Sequence, residues 1–171
     1  MHTINRISLL FCLATFAQLT AAATATGTFT VTATVNSTCT VGTSNVAFGT
    51  YDPSSGSANN ASGSVSVTCT TGSTYSIALD AGGNAGGASV FSNRRMKAGA
   101  SNYLPYQLYL DSGHATVWGD GTNSSSLNPA SGTYTGNGSA QGYTVYGQLT
   151  AGQYVAPGSY TDTVNVTVTY N

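Results

Sequence analysis

Residues 26–35 read TGTFTVTATV, so a threonine occupies every second position of this stretch. The positions between the threonines are Gly27, Phe29, Val31, Ala33 and Val35. Alternation with a period of two places one set of side chains on one face of a β-strand and the other set on the opposite face. Such a strand either opens the sheet of its own domain or projects and completes a sheet in another molecule. The choice between the two decides whether the protein works alone or as a polymer.

The segment before this stretch has the features of a secretory signal. Arg6 and the amino terminus supply positive charge, residues 7–19 form an apolar run, and residues 20–23 read TAAA, a small-residue cleavage region. We therefore predict a signal peptide over residues 1–23. The apolar run is too short for a stable anchor, and no later segment approaches the roughly 20 apolar residues that a spanning helix needs. We expect no stable membrane insertion.

Charge is scarce in this chain of 171 residues, which has a formal net charge of −1 and 5% charged residues. Its only basic cluster is formed by Arg94, Arg95 and Lys97. Binding to nucleic acid through counterion release needs many phosphate contacts, so we expect no nucleic-acid partner. The cluster could recognise acidic sugars or lipid headgroups, but we interpret it as a solvated strand face or one that is ion-paired with Asp111 or Asp162.

Short alternating runs, separated by turns rich in Gly, Pro, Ser and Asn, continue to the end of the chain. Clear examples are residues 64–69, which read SVSVTC, and residues 160–170, which form the longest alternation. A strand is also predicted over residues 90–97. No helix is evident outside the leader. About seven short strands at this spacing favour a single antiparallel β-sandwich domain.

Two cysteines, Cys39 and Cys69, remain once Cys12 is removed with the leader. In an exported chain an isolated pair is most simply a disulfide. It would close a loop of about thirty residues and stabilise the fold by roughly 3–4 kcal/mol in the chain-entropy model. Two buried free thiols, or a metal site shared with His114, are the less favoured alternatives.

Signatures of catalysis or metal binding are weak. The chain has no glutamate, and its mature part has one histidine, His114, in a turn-like context near Asp111. Residues 120–123 read DGTN but lack the repeated carboxylates and the closing glutamate of a calcium loop. We therefore expect no enzyme activity, no metal and no cofactor. Eleven tyrosines and Trp118 leave open a carbohydrate-stacking surface, since tyrosine is also ordinary strand material.

The whole mature chain resembles the spore coat protein U domain family, which includes the pilin subunits of archaic (Csu-type) chaperone–usher pili. The alternating N-terminal stretch is followed by CTV at residues 39–41. Further matching blocks are FG at 48–49, VSVTC at 65–69, RM at 95–96, LPYQLY at 104–109, WGDG at 118–121 and GSYTDTV at 158–164. The last two blocks are the most specific.

This resemblance implies an incomplete immunoglobulin-like antiparallel β-sandwich that is completed by donor-strand exchange. Residues 24–36 would be an N-terminal donor strand extension, and residues 37–171 the sandwich, which lacks its last strand. The closing alternation runs to Tyr170, and we expect no further strand after it. A periplasmic chaperone would lend a strand to the open groove, and at the outer-membrane usher the N-terminal strand of the next subunit would replace it.

The resemblance also assigns roles to particular side chains. The donor side chains would be Gly27, Phe29, Val31, Ala33 and Val35. Three residues of the closing alternation, Val164, Val166 and Val168, would help line the acceptor groove.

The function implied is that of a structural pilus subunit. It would be exported through the periplasm to the cell surface, would polymerise head to tail with copies of itself or with related pilins, and would support adhesion and biofilm formation. One alternative is a stand-alone secreted spore-coat or matrix protein in which residues 26–35 pair within their own domain. Another is a carbohydrate-binding surface module.

Overall fold

The computed structural model describes residues 21–171, so the predicted leader lies, up to residue 20, outside the described residues. The chain divides into two units, with the boundary between Thr34 and Val35. Residues 21–38 lie outside every strand and helix. Phe29 and Val31, on the apolar side of the alternating stretch, are 88% and 83% exposed. The N-terminal stretch therefore has the sequence of a strand without being part of a sheet.

Nine strands and one short 3-10 helix build the second unit within the described residues. The strands are β1 (Cys39–Ser44), β2 (Asn59–Cys69), β3 (Thr74–Leu79), β4 (Arg95–Ala98), β5 (Asn102–Pro105), β6 (Gln107–Tyr109), β7 (Tyr134–Thr135), β8 (Gln141–Leu149) and β9 (Val166–Tyr170). The 3-10 helix is Phe91–Asn93. In the long strands β2 and β8, buried residues alternate with more exposed ones, as the period of two in the sequence predicts.

The strands form two antiparallel sheets and a hairpin. Sheet I has the order β1-β2-β8-β6, sheet II has the order β7-β3-β9, and β4 pairs with β5. The hydrophobic core lies between sheets I and II. Sheet I contributes Val65, Val67, Leu108, Val145 and Leu149, and sheet II contributes Tyr75, Ile77 and Leu79. This arrangement confirms the predicted all-β antiparallel sandwich.

The predicted disulfide between Cys39 and Cys69 is confirmed. The two residues pair directly across β1 and β2, and Cys69 is buried in the core. The bond therefore fixes the first residue of β1 to the last residue of β2.

The strand predicted over residues 90–97 is only half correct. Its first half is the 3-10 helix Phe91–Asn93, and the strand β4 begins at Arg95. The ring of Phe91 is buried in a small satellite cluster with Ala81 and Ala85. Phe91 and Met96 are five positions apart and would fall on opposite faces of one strand, so the period of two does not in fact continue through this segment.

Arg94 is not part of a solvated or ion-paired face, so this interpretation of the basic cluster is wrong for Arg94. Its side chain is 1% exposed. Its guanidinium donates to Oε1 of Gln107 at 2.8 Å and to the carbonyl of Asp80 at 2.7 Å, both neutral acceptors. Burial lowers the pKa of Arg94 to about 10. The turn that precedes β4 directs the side chain inward, and charge counting does not reveal this.

Two glycines make room for a segment that crosses the core-facing side of sheet I. A Cβ on Gly63 would lie 2.7 Å from the carbonyl oxygen of Ser44 and 2.9 Å from Cγ2 of Val46. A Cβ on Gly147 would lie 2.6 Å from Cγ1 of Val46 and 2.9 Å from Cζ of Phe48. The chain that leaves β1 therefore lies directly on β2 and β8, and its side chains occupy core space that the two glycines leave free.

We predict that Gly63→Ala destabilises the domain by about 1–3 kcal/mol, the usual cost of overpacking. The obstacle is the backbone at Ser44, which cannot turn aside as a flexible side chain can. Gly142→Ala is the matched control, since Gly142 also lies in a strand of sheet I and a Cβ there meets nothing within 4 Å. That control should be neutral or stabilising by up to about 1 kcal/mol. Urea unfolding of both variants measures the difference, and equal midpoints would contradict the close contact.

Candidate strand-acceptor groove

One edge of β9 is unpaired. Within residues 21–171, β3 is the strand that pairs with β9, and the opposite side of β9 has no strand partner. The backbone N–H of Asn171 donates to the carbonyl of Thr74, so the odd-numbered residues of 165–171 point their backbone groups toward β3. Alternate residues of a strand point these groups to opposite sides. Val166 and Val168 therefore present their N–H and C=O groups to the open edge.

An apolar cavity of about 390 Å³ lies beside this edge. Val164 and Val166 line one side of it, and the segment after β1 lines the other side with Val46 and Phe48. Its floor is formed by the core residues Val65, Leu79 and Leu108. A second cavity of about 690 Å³ shares Val46, Phe48, Met96 and Tyr160 with the first. The shared residues place the two cavities side by side, and together they are here called the groove.

The groove lies between the edges of the two sheets. β1 is an edge strand of sheet I, as β9 is of sheet II. Val41 of β1 pairs with the buried Val67, which places Val41 on the core-facing side, yet Val41 is 44% exposed. At the end of β9, Tyr170 is 41% exposed. Apolar side chains that face the core but remain exposed at two neighbouring edges mark the space that one further strand would cover.

The structure brings the predicted acceptor residues together. Val164 and Val166 line the first cavity, and Val168 packs half-buried against the core one step further along β9. Among the predicted donor residues, Val35 is 80% exposed and no atom lies within 4 Å of the Cβ position of Gly27. The donor and acceptor roles of these residues stay predictions.

A polar pair lies in the wall of the groove. The hydroxyl of Tyr106 donates to Oδ2 of Asp162 at 2.8 Å, and Nδ2 of Asn84 donates to Oδ1 at 2.8 Å. Burial, and next the hydrogen bond to Asp162, raise the pKa of Tyr106 well above its ordinary value. The phenol therefore stays protonated and keeps donating at neutral pH. Sequence reasoning did not single out this pair, although both residues lie in blocks that carry the family resemblance.

Residues 25–167 match the model of the Spore Coat Protein U domain. The chain belongs to the Spore Coat Protein U domain family. A relative within the curated proteins is Protein U of Myxococcus xanthus, which is 38% identical over 161 residues, with 87% of each chain covered. The family predicted from the sequence is thus confirmed.

Among solved structures, this family member resembles a chain in the crystal structure of a chaperone–tip adhesion subunit pre-assembly complex from the archaic chaperone–usher Csu pili of Acinetobacter baumannii. The TM-score is 0.54 and the sequence identity is 22%. The match covers 79% of this chain and 40% of the other, so the chain spans less than half of that structure's length. This similarity is one of fold.

The candidate catalytic pair of this family member is not assembled. The carboxylate of Asp111 accepts hydrogen bonds from the backbone N–H groups of Ala115 and Thr116, which lower the pKa of Asp111. The ring of His114 instead contacts the ring of Tyr109 edge to face, with 5.1 Å between centroids. The two side chains therefore shape a turn.

The DGTN segment is a turn as well, since Asp120 accepts from the backbone N–H and the hydroxyl of Thr122. Across residues 21–171, no three His, Cys, Asp or Glu side chains are grouped so that they could hold a metal ion. In the same part of the chain, no helix has the length and apolar character to cross a membrane.

Trp118 is a core residue, so it does not belong to the carbohydrate-stacking surface that the sequence left open. Its side chain is 0% exposed. The indole Nε1 donates to the carbonyl of Ile77 at 3.1 Å, which satisfies its one polar group inside the core. The WGDG block therefore anchors a loop to sheet II.

Proposed function

We propose that this chain is a structural subunit of an extracellular fibre, in which residues 24–36 of one copy fill the groove of the next copy. One observation carries the proposal. The apolar groove beside the open edge of β9 belongs to the same chain as an alternating segment whose apolar side chains are exposed. The segment is a strand-like stretch with an apolar face but no sheet to join, and the groove is an apolar surface beside a strand edge that has no partner.

The energetics of such a contact are favourable. Four apolar donor side chains, Phe29, Val31, Ala33 and Val35, would be removed from water at up to about 1.5–3 kcal/mol each, less for alanine. The inserted backbone would also pair with the free N–H and C=O groups of Val166 and Val168, which adds a ladder of main-chain hydrogen bonds. Withdrawal of the strand breaks all of these contacts together, so the joint is also kinetically stable.

The geometry of the contact leads to a fibre. The donor segment and the groove are different parts of one chain, so a copy that gives its strand still has an open groove. Head-to-tail contacts of this kind do not close on themselves unless the rotation happens to form a ring. Polymerisation therefore continues for as long as subunits are supplied.

Assembly of this kind needs protection before polymerisation. An exposed apolar edge is an aggregation hazard, so we propose that a periplasmic chaperone fills the groove after export and that an outer-membrane usher exchanges this strand for the donor segment. The structural neighbour, which is a chaperone–subunit complex, supports this route. The fibre would stand on the cell surface and support adhesion and biofilm formation.

The test compares the mature protein with a form that lacks residues 24–36. We expect the full mature protein to give a series of polymers in size-exclusion chromatography and the shortened form to stay monomeric. A synthetic peptide of residues 24–36 should bind the shortened form and raise its melting temperature, whereas a scrambled peptide should not. Two well-folded monomers of similar stability would contradict the proposal.

A second candidate is a stand-alone coat protein, and the observation that favours it is the 38% identity to Protein U within a family named for the spore coat. In this case residues 26–35 would pair within their own domain. The same experiment separates the two functions, because removal of residues 24–36 would then destabilise a protein that never polymerises.

A further inference from the structure

The strand residues on the side of sheet I that points away from the core, here called the outer face, include no charged side chain, and the nearest charge is the carboxylate of Asp111, two residues after the end of β6, which acts on Tyr109. Its residues are the ones that alternate with the buried positions of β1, β2, β8 and β6. They are Thr40, Gly42, Ser44, Asn60, Ser62, Ser64, Ser66, Thr68, Gln107, Tyr109, Gly142, Thr144, Tyr146 and Gln148. The outer face thus consists of hydroxyls, amides, glycines and two aromatic rings.

The two aromatic residues are neighbours. Tyr109 of β6 pairs directly with Tyr146 of β8, and Ser62 of β2 pairs with Tyr146 from the other side. Directly opposite residues on one face have Cβ atoms about 5 Å apart, so the two tyrosines lie side by side on the outer face, and the pair is here called the aromatic platform. The ring of His114 packs edge to face against Tyr109, with an interplanar angle of 80°. Both tyrosine side chains remain partly exposed.

Polar groups flank this platform along both strand directions. On one side, Nε2 of Gln148 donates to Oδ1 of Asn60 at 3.1 Å. On the other side, the hydroxyls of Ser44 and Ser64 are 2.9 Å apart, with Thr144 opposite Ser64. Amides and hydroxyls have more donor and acceptor positions than one such bond uses. The remaining positions are available to a ligand that lies on the rings.

We propose that the outer face binds a neutral polysaccharide. A sugar ring offers an apolar C–H face that packs on a tyrosine ring and hydroxyls that hydrogen-bond to amides and hydroxyls beside it, and tyrosine combines an apolar body with a polar tip. The outer face has no cation, since Arg95 and Lys97 lie on β4 and not on sheet I, and the carboxylate of Asp111 adds negative charge beside Tyr109. Both features disfavour anionic polymers and lipid headgroups.

This inference does not depend on strand exchange. It holds for a monomer, and a fibre would repeat the outer face in each subunit and so gain avidity without new contacts.

The test measures depletion of the purified mature protein from solution by insoluble cellulose and by chitin, with the anionic polymer alginate as a separate competitor. We expect binding to at least one of the two neutral polysaccharides. Tyr146→Ala and Tyr109→Ala should each weaken it about tenfold, and Tyr146→Phe, which keeps the ring, should retain most of it. The matched control is Tyr154→Ala, because Tyr154 is 78% exposed but lies outside every strand.

Thermal unfolding of each variant shows whether it is folded. If a tyrosine-to-alanine variant is misfolded, the test rests on the comparison of Tyr146→Phe with Gln148→Ala. Gln148→Ala should weaken binding while Tyr146→Phe does not. The proposal is overturned if neither neutral polysaccharide retains the protein, if all variants bind equally, or if alginate displaces the protein in a salt-sensitive way.

Discussion

Aspartate in place of Phe29 should reduce polymerisation of the mature protein to background, whereas aspartate in place of the neighbouring Thr30 should leave it intact. Phe29 lies on the apolar face of the donor segment and Thr30 on the opposite face. The change at Phe29 removes about 1.5–3 kcal/mol of apolar burial and places a carboxylate in an apolar groove at a further cost of several kcal/mol. A joint weakened by about 4 kcal/mol dissociates roughly a thousandfold more readily.

Mixing the Phe29→Asp variant with the wild-type protein tests the donor face more sharply than the loss of polymerisation does. The Phe29→Asp variant keeps its own groove, so it can accept a strand although it cannot donate one. A small fraction added to the wild-type protein should therefore cap growing ends and shorten fibres in proportion to the amount added. Fibre lengths in electron micrographs report this effect. If Thr30→Asp caps as strongly as Phe29→Asp, the effect is one of charge and the assignment of the donor face fails.

The sandwich was predictable because its long strands carry their burial pattern in the sequence. The closing alternation shows where this reasoning stops. The alternation runs over residues 160–170, yet β9 begins at Val166. Before that point the backbone has other partners. Thr161 bridges to Lys97 of β4, and the N–H of Gly83, in a loop, donates to the carbonyl of Thr163. Side-chain alternation reports which face is buried and says nothing about which partner the backbone has.

The groove was harder to predict, because it depends on contacts between residues far apart in the chain. Its wall at Val46 exists because Gly63 and Gly147 leave space on two other strands. The aromatic platform likewise needs β6 and β8 to be neighbours, which pairs Tyr109 with Tyr146. Neither the spacing nor the composition of the sequence contains this information. The family resemblance did point to Val164 and Val166, which line the groove, since a family pattern carries the result of such long-range packing; their acceptor role stays a prediction.

The second large effect concerns the disulfide. Replacing both Cys39 and Cys69 by alanine should lower the free energy of unfolding by about 3–4 kcal/mol, because the bond closes a loop with a sequence separation of 30 and removes conformational freedom from the unfolded chain. Urea unfolding of the variant and of the wild type measures the difference. The unfolding midpoint of the variant should not change when a reducing agent is added. The midpoint of the wild type should fall toward that of the variant when its disulfide is reduced. Equal midpoints for the oxidised wild type and the variant would contradict the prediction.

In a fibre the same bond has a mechanical consequence. Only Ser37 and Thr38 separate residues 24–36 from Cys39, the first residue of β1, so tension on a donor segment enters the sandwich at this end of β1. β1 is an edge strand held by β2 alone, and such a strand peels from its end one hydrogen-bonded pair at a time. The disulfide joins that end of β1 to the last residue of β2 and so blocks peeling at its first step. Fibres of the cysteine-free variant should therefore unfold at lower pulling force than wild-type fibres, while their joints, which involve neither cysteine, should separate at the same force.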